Sequence, residues 1–236
     1  MIKEAIILAG GFGTRLQEVI KDVPKPLAPV NDKPFLDYIL KHLAHYGIKR
    51  VVLSVGYLAE KVIKRYGNSF QGMEIVYSVE EEPLGTGGGI RLAMQQCHAY
   101  DILVLNGDSF FDIDLHSFYN KHSEAVSDAS LALRKVSDAS RYGTITLGEF
   151  DKISAFKEKN AREKSGTINA GVYVIDSDSY MDETPANKSF SIEKDFFEKK
   201  IDTLNLYGFT YDGYFIDIGI PEDYKQAQHD FKTFKY

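Results

Sequence analysis

Four short apolar runs, separated by helical patterns, limit what this chain can fold into. Residues 4–9 (EAIILA), 50–55 (RVVLSV), 73–79 (MEIVYSV) and 101–106 (DILVLN) are rich in Val, Ile and Leu and bounded by turn residues, as strands are. Between them, Leu36, Ile39, Leu43 and Tyr46 recur at helical spacing over 35–46, and Leu58, Val62 and Tyr66 do so over 57–66. This alternation predicts a parallel sheet with helices on both faces. In such open sheets a ligand sits at the carboxyl ends of the strands. The 236 residues supply enough core for one large α/β domain or two small ones.

After about residue 125 the pattern changes. Strand-like runs follow one another at 129–136, 143–148, 152–157, 167–175 and 203–209. A helix is predicted over 191–200, with Ser191 as N-cap and Phe196 and Phe197 on its buried side. Residues 214–219 (YFIDIG) read as one more strand, and Pro221 opens a last helix, where its missing N–H costs nothing. No repeat, linker or low-complexity segment interrupts the chain. The expected fold is α/β: a Rossmann-like, mixed but mainly parallel sheet flanked by helices. It forms one domain over 1–236 in two halves, 1–125 and 126–236, the second of which adds a lid or second wall.

The net charge of −6 comes from interspersed acidic and basic residues. No basic block points to nucleic acid, and no basic amphipathic helix points to a membrane surface. An acidic protein that handles phosphates must concentrate its few cations locally or recruit a metal. Cys97 is the only cysteine, so no internal disulfide forms and a reducing compartment is expected. The N-terminus carries no signal-peptide pattern and no apolar run is long enough to span a bilayer, which makes the cytoplasm the default.

The first apolar run opens into AIILAGGFGTRL (5–16). A dinucleotide fingerprint would place a third glycine where Leu16 stands, and no clear acidic partner lies about 20 residues on. An ATPase-type phosphate loop would end in Gly-Lys-Ser/Thr, where this chain has Gly13-Thr14-Arg15. What remains is a glycine turn whose N–H groups face an anion, with Arg15 as a forked donor to phosphate oxygens, or a plain tight turn with no ligand.

Other polar outliers fall at corresponding strand ends. Glu80 follows the third strand and NGDSF (106–110) the fourth, so both gather with Gly10–Arg15 along one sheet edge. Asp108, after Gly107, suits a hard cation such as Mg²⁺, or simply caps a turn. Asp217 interrupts the apolar run of YFIDIG, where an unpaired charge is costly and a cation the simplest remedy. Lys25, confined between two prolines in VPKPLAPV, is held in place and able to meet a phosphate, or is an ordinary solvated loop lysine. EPLGTGGGIR (82–91) reads as a second glycine-rich loop leading into a helix, able to lie flat against a base or sugar.

Taken in order, LAGGFGTRL, PKPLAPV, EEEPLGTGGGIR, NGDSF, FKEKN, INAGVYV and FIDIGIPEDY resemble the sugar-1-phosphate nucleotidyltransferases, over about residues 2–225. Within that family the chain is most similar to the D-glycero-α-D-manno-heptose-1-phosphate guanylyltransferases of bacterial surface-polysaccharide biosynthesis. The resemblance implies the nucleotide-diphospho-sugar transferase type of fold. It also implies a reaction in which a sugar 1-phosphate oxygen attacks the α-phosphorus of a nucleoside triphosphate and pyrophosphate leaves. The nucleophile is already an anion, so no general base is needed, and His42, His45, His98, His116, His122 and His229 are read as structural. Catalysis then rests on positioning and charge neutralisation.

By similarity, the nucleotide is bound by Leu8, Ala9, Gly10, Gly11, Gly13, Thr14, Glu80, Pro83, Gly85, Thr86 and Gly107. Arg15, Lys25 and Asp108 are catalytic, and Asp108 and Asp217 hold Mg²⁺. The sugar phosphate is bound by Gly143, Glu158, Lys159, Asn169 and Gly171. Asn160 stands where the family often has Pro, a departure in the FKEKN loop. Glu80 occupies the place where thymidine- and uridine-using relatives carry Gln. A carboxylate only accepts hydrogen bonds, and guanine presents two adjacent donors, so Glu80 favours GTP. Mannose 1-phosphate as acceptor, a uridylyltransferase, or a sensor that kept the fold but lost turnover remain alternatives. No hexapeptide-repeat segment suggests an appended acyltransferase. The sequence leaves a homodimer open.

Overall fold

The computed structural model describes residues 1–11, 23–157 and 165–234. The described elements, in chain order, begin with β1 (Glu4–Leu8), a short hairpin β2 (Pro29–Val30) and β3 (Lys33–Pro34), α1 (Phe35–His45), β4 (Arg50–Val55) and α2 (Ala59–Tyr66). Then come β5 (Ser69–Phe70), β6 (Met73–Val79), α3 (Gly85–Met94), β7 (Asp101–Asn106), β8 (Ser109–Phe111) and α4 (Leu115–Glu124). The second half contributes β9 (Ala129–Val136), β10 (Thr144–Leu147), β11 (Ile153–Lys157), β12 (Gly166–Asp176), α5 (Ser177–Glu183), a π-helix (Ile192–Phe197) running into α6 (Glu198–Lys200), β13 (Leu206–Tyr211), β14 (Phe215–Asp217) and α7 (Pro221–Asp230).

The four apolar runs form the parallel centre of a ten-stranded sheet: β1 pairs with β4 and β7, and β4 with β6. The second half joins the same sheet, because β12 pairs antiparallel with β7, Val172 opposite Leu105. β10 and β9 both pair antiparallel with β12, and β13 runs parallel to β9. The sheet is therefore mixed with a mainly parallel centre, as expected. Both faces are covered: Ile7 of β1 packs with α1 through Leu36, Ile39 and Leu43, whereas its neighbour Ile6 packs with Ile90, Phe196 and Phe197 on the other side. Among the described residues no helix is long and apolar enough to cross a membrane.

Several boundaries differ from expectation for local reasons. The helix expected over 57–66 starts at Ala59, because Leu58 takes a left-handed conformation (φ 56°). Ser191 is the expected N-cap, its side chain accepting from Lys194 N, but the turn that follows is a wide π-helix rather than α. The strand expected over 203–209 lies at Leu206–Tyr211. α4 and α5 were not foreseen. The Asp114 side chain caps α4, accepting from the backbone of His116 and Ser117.

The largest correction concerns EPLGTGGGIR. Its glycines are not a loop but the first turns of α3. A Cβ on Gly87 would stand 2.2 Å from the Phe190 ring, and one on Gly88 would stand 2.6 Å from Lys188 O. The glycines make room for the segment 188–190, which docks on the helix by Phe190 N donating to Leu84 O (3.0 Å) and Gly87 N donating to Phe190 O (2.9 Å).

His42 lies on the buried face of α1, its Nδ1 3.8 Å from Asp112. Burial pushes its imidazole down to about 4, against a smaller opposing pull from Asp112. The folded protein therefore holds His42 neutral, and that contribution is present above the unfolded value near 6.5 and lost as pH falls through the folded one. Stability should drop by up to about 3 kcal/mol between pH 6.5 and 4. In denaturant titrations the His42→Gln variant should show a flatter profile over that window.

Candidate active site

The carboxyl ends of β1, β4, β6 and β7 form one rim, and two cavities open along it. The first, about 410 Å³, is walled by Leu8 at the end of β1 with Gly10 and Gly11 after it, Gly56 and Tyr57 after β4, Glu80, Glu81 and Pro83 between β6 and α3, and Gly85 and Thr86 at the start of α3. The second, about 350 Å³, is walled by Asn106, Asp108, Tyr142, Gly143, Asn169 and Gly171, with Ser191, Glu193 and Asp217. They are neighbours, since Leu8 in one wall is the register partner of Asn106 in the other. None of the described residues lining them is a histidine.

Lys25 sits at the centre of the charge arrangement. Pro24 in extended conformation and Pro26 hold it at the first position of a short 3₁₀ turn, Lys25–Leu27. Its Nζ donates to Asp108 Oδ2 at 2.5 Å and lies 3.9 Å from Asp217 Oδ1. Asp217 reaches this point because β14 pairs antiparallel with β8, setting Asp217 opposite Ser109. Gly219 N donates to its Oδ1 (2.7 Å). Burial, and then the Asp108 charge, push the Asp217 carboxyl above the usual range, while Lys25 pulls it down. Two carboxylates thus share one ammonium, and a further cation would relieve the repulsion between them.

Among the described residues no group of three or more His, Cys, Asp or Glu is arranged to hold a metal. A pair of carboxylates suits Mg²⁺, which commonly takes one or two of them and completes its shell with substrate phosphate and water. Burial pushes the nearby Tyr142 hydroxyl up to about 12, so it stays a neutral donor at the cavity wall.

Glu80 faces the first cavity. Its Oε1 accepts from Ser54 Oγ (3.0 Å) and its Oε2 from Leu84 N (2.9 Å). Gly107 is buried and lines neither cavity: its N donates to Leu8 O (2.9 Å), and a Cβ there would stand 2.5 Å from that oxygen. It lets β1 and β7 close together at the rim. Ala9 is likewise buried, its N donating to Ser54 O. Asn169 accepts from Gly171 N and donates to Tyr173 Oη, and Gly171, at φ 74°, lies against Asn106. Gly13, Thr14, Arg15, Glu158 and Lys159 lie outside the described residues.

Sequence reasoning missed Glu193. Its Oε2 accepts from both Ser191 Oγ (2.8 Å) and Thr86 Oγ1 (3.1 Å). Both bonds use one oxygen, so Oε1 retains acceptor capacity suited to hydroxyl groups. Thr86 lines the first cavity and Glu193 the second, which ties the two together. Gly56 and Tyr57 were also unforeseen, although their place after a central strand was a signal.

Residues 4–233 match the family model "Nucleotidyl transferase", so the chain belongs to the nucleotidyl transferase family. It is 42% identical over 231 residues to the D-glycero-alpha-D-manno-heptose 1-phosphate guanylyltransferase of Aneurinibacillus thermoaerophilus, covering 98% of this chain and 99% of that one. It is 45% identical over 223 residues to the protein of the same name from Campylobacter jejuni, covering 94% and 96%. Among solved structures it is similar to HddC from Yersinia pseudotuberculosis complexed with GMP-PN, at 35% identity and a TM-score of 0.86, covering 98% of this chain and all of that one. The family and fold expected from the motifs are those found.

Proposed function

We propose that this enzyme transfers GMP from GTP to a sugar 1-phosphate, giving a GDP-sugar and pyrophosphate, with D-glycero-α-D-manno-heptose 1-phosphate as the acceptor. The observation that carries the reading is the placement of Asp108 and Asp217 in the wall of the second cavity, suited to a sugar, with Lys25 Nζ against both carboxylates and the first cavity, suited to a nucleotide, beside it. The choice of guanine and of a heptose follows the names of the two full-length relatives.

In the proposed step an oxygen of the sugar phosphate bonds to the α-phosphorus of GTP, the α–β anhydride bond breaks, and its electrons leave with pyrophosphate. No proton needs to be removed from the nucleophile. Lys25 neutralises charge at the reacting phosphates, and its stiff loop fixes where that charge sits. Asp108 and Asp217 would hold Mg²⁺, which supplies Lewis-acid and template chemistry when bound. Glu193 and Asn169 are set to accept and donate hydrogen bonds to sugar hydroxyls, and the described main chain at Gly10 and Gly11 approaches the triphosphate. Arg15 is assigned to the departing pyrophosphate, Gly13 and Thr14 to the triphosphate, and Glu158 and Lys159 to the sugar phosphate, all by similarity. We read 1–125 as the nucleotide half and 126–236 as the sugar half of one catalytic unit. Asn106 and Asp108 then come from the first half and line the second cavity. The single cysteine fits a cytoplasmic reaction. One chain walls both cavities, so the reading asks for no second copy.

The test is pyrophosphate release with Mg²⁺, using GTP, UTP, dTTP and CTP each against a panel of sugar 1-phosphates that includes heptose and mannose. Turnover is expected with GTP and the heptose. Equal use of the four nucleotides would remove Glu80 as base reader. Nucleotide binding without turnover on any sugar would favour a sensor. Glu80→Gln exchanges one acceptor for a donor and should cut GTP use by about 10- to 100-fold in kcat/KM, since a charge-assisted hydrogen bond becomes a mismatch.

A further inference from the structure

Glu80 is held from several sides before any nucleotide arrives. Ser54, at the end of β4, is wholly buried and donates its hydroxyl to Glu80 Oε1. Leu84 N donates to Oε2. Glu80 N donates to Val55 O (2.8 Å), which fixes the root of the side chain against the same strand end. On the helix side, Gly89 of α3 presents no side chain, and a Cβ there would stand 2.8 Å from Glu80 Oε1 and 3.1 Å from Ser54 Oγ. The carboxylate therefore occupies a slot that a Cβ at 89 would crowd, with its plane set by one hydroxyl and one backbone N–H. Each oxygen keeps a second lone-pair direction for a ligand.

We infer that Ser54 and Gly89 are positioning residues for base selection, fixing the Glu80 carboxylate so that both oxygens meet the two adjacent donors of guanine. The inference rests on the reading of Glu80 as the guanine reader and deepens it. Two parallel hydrogen bonds to a planar edge need the acceptor plane held to within about 10–20°, which a carboxylate on a rotating stem does not maintain by itself. Ser54 supplies that restraint from beneath the cavity, on the rigid end of a central strand. Gly89 supplies the space that lets the carboxylate lie against Ser54. The competing account is structural: the Glu80–Leu84 bond serves only to satisfy a donor at the start of α3, and Ser54 fills a core position.

The two accounts separate on inosine triphosphate, whose base keeps N1–H but lacks the exocyclic amine of guanine. The measurement is kcat/KM for GTP and for inosine triphosphate in the wild type, Ser54→Ala, Gly89→Ala and Glu80→Gln, with Tm for each. The wild type should prefer GTP. Ser54→Ala should lower that preference roughly ten-fold, the size of one charge-assisted hydrogen bond, with the loss falling on KM for GTP. Gly89→Ala should lower it too, although alanine is the better helix residue and the atom displaced is the movable end of Glu80. An unchanged GTP preference in Ser54→Ala and Gly89→Ala, with the preference lost in Glu80→Gln, would overturn the positioning role and leave the base reader in place. So would a fall in Tm with the preference intact. A preference unmoved in all three variants, or absent from the wild type, would overturn the base reader itself and the inference with it.

Discussion

Asp108→Ala should reduce pyrophosphate release by about 10³-fold, close to 4 kcal/mol of barrier, while the protein stays folded. The carboxylate stands at the end of β7 and accepts from Lys25 at 2.5 Å. It is also the second-largest reason that the Asp217 carboxyl is pushed up. The substitution relieves that repulsion but breaks the ion pair with Lys25, leaving the ammonium with Asp217 3.9 Å away, so the variant should stay folded and melt slightly below the wild type. It also removes one of the two oxygen ligands proposed for Mg²⁺, so a Mg²⁺-dependent rise in Tm should shrink. The loss should fall on kcat, because the group acts on charge that develops during transfer rather than on the resting substrates. Single-turnover measurements with GTP binding followed separately make the check. A variant that keeps more than a tenth of the wild-type rate would show that Asp108 only caps the turn into β8.

The charged pair was legible because each carboxylate ends or interrupts an apolar run, a place where burial without a partner is costly. Asp108 follows a strand whose residues Ile102 to Leu105 are all buried, and Asp217 follows Ile216. The parallel centre was legible for the same reason: strands covered on both faces read as continuous Val, Ile and Leu, and β1, β4, β6 and β7 fall within a residue of their expected bounds. The start of α3 was not: a helix was expected after the glycines, but GTGGG has poor helix propensity and read as a loop. What makes it helical is the docking of Lys188–Phe190, about a hundred residues later in the chain, onto a face that only glycine leaves bare. Glu193 was hidden by the same folding back, since nothing near it in sequence announces a partner at Thr86. Local pattern thus yields the sheet edge and the charges on it, and contacts of long sequence separation supply the second wall.

Lys25 is where local stiffness and long-range charge meet, and its removal should cost both rate and stability. Pro24 and Pro26 restrict the backbone, and the short hairpin beyond it is tied to α7: Gln228 donates to Pro29 O and, through Oε1, accepts from Asn31 N, while Tyr224 also donates to Pro29 O. α7 follows Asp217 closely in the chain, so the loop carrying the cation and the strand carrying the second carboxylate are braced against one another. In Lys25→Ala, Asp108 and Asp217 lose the ammonium between them. Breaking a buried pair costs about 3–5 kcal/mol, and with Asp108 over a third exposed the expected loss is nearer 2 kcal/mol, a fall of about 4–8 °C in Tm. The rate should fall by about 10²–10³-fold, in line with removal of one preorganised charge from a reacting phosphate. The two effects separate with Mg²⁺, which should recover much of the lost Tm by pairing the carboxylates and little of the rate. Lys25→Arg should restore stability better than activity, since a planar fork on a stiff two-proline loop cannot present a point charge at the same spot. A Lys25→Ala enzyme with near wild-type turnover would make this lysine an ordinary ion-pair partner, and the charge at the reacting phosphates would then have to come from Arg15.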